Sequence, residues 1–481
     1  MVVSLNGQTV RRLTLEEAIA IASDSSLTAF RHKNMFQRSY WEYRVFKAER
    51  LPSVSFGLSP QYYRAVTQRY DSYQDADVYR EQQMFSISSS LGAAQNIDVL
   101  GGTLYLNTDL NYIRNFGDNT YTQYSSVPLQ IGYRQEQIGY NAFKWDRKIE
   151  PLKYEKAQKE FVYNMESLSE EVVVYFFNLA MAQVDYELAV DNFHNTDTLY
   201  TLGNRRYEIA AISQSDLMTL KLDKINARNN LQASGISLKK AMTAFADFLN
   251  LPKDCQIEIQ LPSRFREFHI TIEDAIREAR QNSYELLEKR QGVVEAEQSY
   301  DKAKKETLFS ASFNASIGFN QYAEKLGDAY KNPLQQDLMS VSLSIPLLDW
   351  GVRKGKRSMA LNNLEEARFI QRQKEVSLEE EIAITVGDFN MQQELIVSAE
   401  EAELLAESAY SQTMQRFIIG NADISALTLS RNRQQEARKS YISALSNYWQ
   451  SYYKIRKMTL FDFAEERELT ELFDFDKGRY Q

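Results

Sequence analysis

Residues 338–351, LMSVSLSIPLLDWG, alternate between large apolar and small polar side chains. This period of two predicts a β-strand with one apolar face and one face of serine hydroxyls. A soluble strand usually carries charged groups on its wet face, so a small neutral face is unusual. Pro346 cannot donate a hydrogen bond to a neighbouring strand, and we expect pairing to end there. The apolar positions are Met339, Val341, Leu343, Ile345 and Leu347.

The same alternation occurs at 309–319 and, in the first half of the chain, at 54–59 and 127–133. A further hairpin is predicted by residues 84–91 and 103–113. We expect the apolar side chains of the two second-half stretches to face lipid and their serines to line a lumen, with a soluble β-layer as the alternative. The candidate lipid-facing residues are Phe309, Phe313, Ile317, Val341, Leu343 and Ile345.

Beyond Gly351 the period changes, and one helix is predicted as far as Phe417, about 100 Å long at 1.5 Å per residue. A second long helix is predicted from about Trp145. Its apolar residues recur at alternating spacings of four and three between Phe161 and Phe193, which is typical of a coiled-coil seam. A compact domain of this size does not contain such a rod, so we expect it to project and to have neighbouring helices.

The chain also contains an internal repeat, which appears as three pairs of similar segments. The first two pairs are offset by 257 residues and the third by 210, so the first half carries 47 extra residues. We place these before the first long helix. The pairs are LTLEEAI (13–19) with ITIEDAI (270–276), LPSVSFGLS (51–59) with LFSASFNAS (308–316), and RYEIAAISQSDL (206–217) with RFIIGNADISAL (416–427).

Each half opens with a threonine placed three residues before an acidic residue, at Thr14 and Thr271. This is the spacing of a helix capping box. From these starts we expect one continuous helix as far as about Arg50 in the first half and Glu306 in the second.

Composition excludes several function classes. The net charge of −9 argues against nucleic acid as a partner. Cys255 is the only cysteine, and the three histidines lack metal-ligand spacing, so we expect neither a disulfide framework nor a metal site. We find no nucleophile–base pair and no cofactor loop, and therefore expect no enzyme activity and no cofactor. The first residues lack the apolar core of a signal peptide, so we expect either a cytoplasmic protein or a signal peptide that was removed before this numbering begins.

The longest apolar run, residues 172–182, is too short for a helix that spans a bilayer, which needs about 20 residues. If the protein enters a membrane, it does so as strands. Strands in hydrocarbon must form a closed barrel, and single-chain barrels begin at about 8 strands. Four or six strands per chain therefore require several subunits.

The duplicated segments and the junction SIPLLDWGVRKG, in this order, resemble the TolC-like outer-membrane efflux protein family over nearly the whole chain. The resemblance implies an α+β membrane protein with two internal structural repeats per chain. It implies a homotrimer whose transmembrane β-barrel in the outer membrane of a Gram-negative bacterium continues into a long α-helical coiled-coil barrel in the periplasm. The implied function is the exit duct of a tripartite efflux or type I secretion system, with a periplasmic adaptor protein and, through it, an inner-membrane pump as partners.

The resemblance and the repeat together divide the chain into eight segments. They are the N-terminal equatorial segment with the first long helix (1–50), the first barrel strands with the extra hairpin (51–144), the helical hairpin of repeat 1 (145–250), an equatorial linker (251–269), the helix of repeat 2 (270–307), the second barrel strands (308–349), the helical hairpin of repeat 2 (350–460) and a C-terminal equatorial tail (461–481).

The family forms its periplasmic entrance and adaptor-docking surface from the turns between paired helices. An aromatic residue followed by glycine three positions later marks such a turn, as Phe417 and Gly420 do here; Tyr207 matches in the first turn, where Ala210 replaces glycine. Ala422 stands where some members place an arginine, which argues against a gate locked by that salt bridge. The acidic candidates at the entrance are Asp216 and Asp423.

Several alternatives stay open at this level. Asp216 and Asp423 can cap helices as well as line a pore, and Tyr207 and Phe417 can pack the turns rather than gate them. A structural coiled-coil protein of the cell envelope without a conduit is the alternative function. The cargo, the pump class, the open or closed state, and whether the extra hairpin at 82–116 joins the barrel do not follow from the sequence.

Overall fold

The computed structural model describes residues 10–73, 75–116, 120–252, 255–262, 267–419, 421–422, 424–475 and 479–480. Contacts divide the chain into two units. The helical unit comprises Met1–Arg38, Lys156–Leu286 and Gln373–Gln481, and the sheet unit comprises Ser39–Glu155 and Leu287–Arg372. None of the described helices is both long enough and apolar enough to cross a membrane.

Eight α-helices and twelve strands are assigned within these ranges. In chain order they are β1 (Val10–Leu13), α1 (Leu15–Ser25), α2 (Leu27–Ala48), β2 (Ser53–Asp71), β3 (Ala76–Ile97), β4 (Gly102–Phe116), β5 (Tyr121–Gln135), α3 (Ala142–Glu208), α4 (Gln214–Phe248), β6 (Gln256–Ile259), α5 (Ile272–Asn282), α6 (Tyr284–Glu306), β7 (Ser310–Ala323), β8 (Leu334–Ser344), α7 (Val352–Ile418), α8 (Ile424–Thr459), β9 (Phe461–Asp462), β10 (Arg467–Glu468), β11 (Phe473–Asp474) and β12 (Arg479–Tyr480).

The sequence repeat has a structural counterpart in the helix bounds. Helix α5 begins and ends 257 residues after α1, and α7 begins and ends 210 residues after α3. Both long helices contain 67 residues. The starts of β2 and α3 are 89 residues apart, whereas those of β7 and α7 are 42 apart. The 47 extra residues therefore lie among the strands of the first repeat and add nothing to its helices.

The predicted continuous helix at the start of each repeat is wrong. Each is broken at a serine with an extended backbone, Ser26 and Ser283. The Ser26 Oγ accepts a hydrogen bond from the N–H of Ala29 at 3.0 Å, and the Ser283 Oγ accepts one from Leu286 at 3.4 Å. Each serine thus caps a second helix, because a side-chain oxygen can satisfy an N–H that a helix start leaves free. The capping box at Thr14 is confirmed.

The sheet unit contains one antiparallel six-stranded sheet in the order β2-β3-β4-β5-β7-β8. The predicted extra hairpin corresponds to β3 and β4, which pair with β2 on one side and β5 on the other. Within the chain, the extra hairpin at 82–116 therefore belongs to the same sheet as the other strands.

Helix α3 is buried more widely in the helical unit than a single coiled-coil seam predicts. Ring contacts join it to α2 through Phe36 and Phe161, to α4 through Phe176 and Phe245, and to β11 through Phe473. A helix with neighbours on several sides buries adjacent positions. The buried pairs are Phe161 with Val162, Val172 with Val173, and Phe176 with Phe177.

An ion cluster around Arg456 ties α8 to α3 and to the C-terminal segment. The Arg456 Nε lies 2.9 Å from one Glu166 carboxylate oxygen and Nη2 lies 3.1 Å from the other. Its Nη1 contacts Asp462 at 2.8 Å, and the Tyr452 hydroxyl donates to the same carboxylate at 2.8 Å. All three charged side chains are largely buried, so each depends on the others for compensation.

Helix α3 ends in a left-handed turn although the residue there is alanine. Ala210 has φ = +58°. The N–H of Ala211 donates to the Arg206 carbonyl at 2.8 Å, and that of Ala210 donates to the Tyr207 carbonyl at 2.9 Å. These two bonds define a Schellman motif, which holds the strained conformation in place of the usual glycine.

Replacing Arg456 by methionine should cost about 3–5 kcal/mol, because Glu166 and Asp462 would stay buried without their cation. The control is Arg438→Met on the same helix, whose exposed guanidinium lies 3.6 Å from Glu187 and should contribute less than about 1 kcal/mol. Thermal unfolding of the purified protein, followed by circular dichroism, compares the two. Equal losses of stability in the two variants would contradict the stabilising role of the buried ion cluster around Arg456.

The Ala210→Gly variant should slow amide exchange in the first turn, because glycine removes a left-handed strain of about 1 kcal/mol. Ala233→Gly, at an exposed position inside α4, should do the opposite and cost about 1 kcal/mol. Hydrogen–deuterium exchange of peptides covering the two positions measures both effects. Faster exchange around residue 210 in Ala210→Gly would show that the turn is not strained.

Candidate functional site

One candidate site is the apolar face of the six-stranded sheet. The register pairs Phe313 with Val341 and Ala311 with Leu343, so predicted lipid-facing residues from both strands lie on the same face. Val341 and Leu343 are each 60% exposed and Ile317 is 66% exposed, while Phe313 is half-buried. These exposed aliphatic side chains lie on adjacent strands, so together they form an apolar surface patch that water solvates poorly.

Two of the six candidates lie just outside the strands, which corrects their prediction as strand residues. Phe309 precedes β7, which begins at Ser310, and Ile345 follows β8, which ends at Ser344. Pro346 explains the second boundary, because it has no N–H to continue the ladder. The strand β8 instead extends further in the other direction, to Leu334.

The opposite face of the same strands is polar. Ser340 pairs with Asn314, and the serines at 342 and 344 pair with those at 312 and 310. The alternation seen in the sequence therefore holds where 310–315 pair with 339–344, with hydroxyl and amide groups on one face and hydrocarbon on the other. Beyond that stretch Leu338 lies on the polar face, and Asp337 pairs with Ile317 on the apolar face.

Further exposed apolar residues share the face of Val341, and the same alternation could have identified them. They belong to the first repeat, where the sequence showed strands but no site was assigned. The set is Val54, Phe56, Leu58, Leu104, Leu106 and Ile131.

The second candidate site is the pair of turns between long helices. In the first turn, Tyr207 is partly exposed and Asp216 belongs to a capping box at the start of α4. The Ser213 Oγ accepts from the N–H of Asp216 at 3.1 Å, and the Ser213 N–H donates back to the Asp216 carboxylate at 3.1 Å. Hydrogen bonds from the Ser213 side chain and backbone lower the pKa of Asp216. This helix start is therefore stabilised at neutral pH, and the stabilisation is lost as the pH falls through that lowered pKa.

In the second turn, Phe417 is buried and lies one residue before the end of α7. The N–H of Asn421 donates to the Arg416 carbonyl at 2.8 Å, which matches the Ala211–Arg206 bond 210 residues earlier. Gly420 and Asp423 lie outside the described residues. A hydrogen bond of 3.3 Å from the Asn195 amide to the Tyr410 hydroxyl joins α3 to α7.

Over the part of the chain that the structure describes, no group of three or more histidine, cysteine, aspartate or glutamate side chains is placed to hold a metal ion.

Residues 275–459 match the family described as "Outer membrane efflux protein". No curated protein sequence matches the chain significantly. Among solved structures, a membrane protein from Pseudomonas aeruginosa superposes with a TM-score of 0.66 at 11% identity, covering 96% of this chain and 92% of its own. The Campylobacter jejuni CmeC outer membrane channel gives 0.65 at 12% identity, with 95% and 90% covered.

The Vibrio cholerae outer membrane protein VceC gives a TM-score of 0.62 at 14% identity, with 92% of this chain and 95% of its own covered. These likenesses span nearly all of each chain, and the sequence match falls in the second repeat. Residues 275–459 thus carry the signature of the outer membrane efflux protein family, and the chain as a whole has the fold of TolC-like outer-membrane channels.

Proposed function

We propose that this protein is an outer-membrane efflux channel in which three copies close one β-barrel through the membrane. The observation that carries the proposal is a six-stranded sheet with one exposed apolar face, in which β2 and β8, among the described residues, each have a neighbour on one side only. Unpaired backbone groups in hydrocarbon cost several kcal/mol each. Pairing β8 of one copy with β2 of the next would remove that cost.

In this proposal the long helices form a periplasmic barrel that continues the duct. The turns near Tyr207, Ala210 and Phe417, with Gly420 and Asp423, would dock a periplasmic adaptor that links the channel to an inner-membrane pump. The channel itself supplies a water-filled path and no energy, so the pump must drive transport. Carboxylates repeated around the mouth, from Asp216 and Asp423, would favour cations there.

A lysine at Val341 should destabilise the folded protein in lipid by about 2–4 kcal/mol, because the charge would lie in hydrocarbon. The control is Ser342→Lys, one residue along the same strand and on the polar face, which should be tolerated. Folding into phospholipid vesicles across a denaturant series measures both. Equal effects would support the alternative of an envelope protein whose sheet meets water.

Removing the negative charges at the proposed channel entrance should weaken the channel's preference for cations over anions. In planar bilayers, the Asp216→Asn/Asp423→Asn double variant should have a lower cation-to-anion permeability ratio than the unaltered channel. Glu273→Gln, an exposed acid in the first turn of α5, should leave the ratio unchanged. An unaltered ratio in the double variant would remove these residues from the pore, and an absence of conductance from the parent protein would contradict the channel itself.

A further inference from the structure

We infer that the hairpin inserted in the first repeat is part of the membrane wall, so that three copies close a ring of 18 strands. The inference rests on the proposed trimeric channel and adds the composition and width of its membrane section. Without the insertion, each repeat would supply two strands and three copies would supply twelve.

The inserted strand β4 has the length and apolar pattern of a membrane strand. On the face that contains Val341, β2 is apolar for nine residues from Val54 to Tyr62, and the next position on that face is Arg64. Strand β4 is likewise largely apolar for nine residues from Leu104 to Tyr112, and its next position is Arg114. A tilted strand needs about 9–11 residues to cross the hydrocarbon. The inserted β4 therefore matches β2 in both length and limits.

The other face of the insertion is polar, like the serine face of β7 and β8. Small or hydrogen-bonding side chains occupy it on both inserted strands, with no large aliphatic group among the central positions. They are Ser86, Ser88, Ser90 and Gly92 on β3, and Tyr105, Asn107, Asp109 and Asn111 on β4.

The turn of the hairpin is held from both sides by residues outside the insertion. Arg50, which follows α2, forms an ion pair with Asp98. The Asn141 amide, just before α3, donates to the Asp98 carbonyl at 2.6 Å, and the Gln135 amide donates to the Leu100 carbonyl at 3.0 Å. A hairpin that merely lay against the outside of a barrel would not need these contacts at the junction of sheet and helices.

A side chain from the insertion also reaches the second repeat across the polar face. The Tyr105 hydroxyl donates to the Asn314 side-chain oxygen at 3.1 Å. Between them lies Gly132, where a Cβ would come within 2.3 Å of the tyrosine ring. Only glycine leaves room for this crossing, so the insertion and both repeats form one continuous surface.

The consequence is a wider membrane section with no change in the set of helices. With strands about 4.8 Å apart and tilted by about 40°, twelve strands give a backbone diameter of about 24 Å and 18 give about 36 Å. The insertion adds no helix, since α3 and α7 have equal lengths. Cargo size would then be limited at the helix turns and not in the membrane.

Bromolipid quenching tests the inference in the assembled protein. Single cysteines are placed on a Cys255→Ser background in matched pairs, Leu106→Cys with Asn107→Cys in β4 and Val341→Cys with Ser342→Cys in β8. Each is labelled with bimane and reconstituted into vesicles of brominated phosphatidylcholine. We expect quenching at 106 and 341 to be at least twofold stronger than at 107 and 342.

The outcomes separate the two proposals. Quenching at 341 but equal signals at 106 and 107 would place the hairpin outside the wall and overturn the inference, while leaving the channel proposal intact. Equal signals at 341 and 342 would overturn both. Cross-linking of the same samples should yield three copies; a two-copy assembly, with twelve strands, would overturn the 18-strand ring.

Discussion

The backbone groups at the two edges of the sheet impose the constraint on which the proposed assembly depends. Within the part of the chain that the structure describes, strands β2 and β8 each have one neighbour, and the face between them exposes aliphatic side chains. In water, such edges and such a face would promote aggregation. In hydrocarbon, the face is favourable but the edges are not, because nothing there can satisfy free N–H and C=O groups. Both conditions are met when copies of the chain pair edge to edge within a bilayer.

The two repeats separate what is fixed in this fold from what varies. Helices α3 and α7 have the same length and the same offset at both ends, whereas the strand regions before them differ by 47 residues. A hairpin can enter an antiparallel sheet without disturbing its neighbours, because it supplies its own partner and leaves one new edge on each side. An added turn in the long helices would instead shift every later contact along them. The sheet unit is therefore where this architecture accommodates change.

The strands and long helices could be predicted from the sequence, because the spacing of apolar residues within each segment is enough to identify them. Alternation at 339–345 predicted a two-faced strand, and the structure places Val341 and Leu343 on one face and the serines on the other. The break at Ser26 does not follow from the sequence, because a capping box marks where a helix starts and says nothing about a second cap twelve residues later. The additional buried residues of α3, next to those of the predicted seam, do not follow from the sequence, because their burial depends on neighbours from distant parts of the chain. The left-handed Ala210 depends on bonds to Arg206 and Tyr207 that residue identity alone does not specify.

Native mass spectrometry of the protein released from detergent micelles counts the copies that seal the sheet. We expect a complex of three chains that persists in detergent and precipitates when detergent is removed. A single chain that remains dissolved without detergent would contradict it, since its sheet edges and apolar face would then be stable in water.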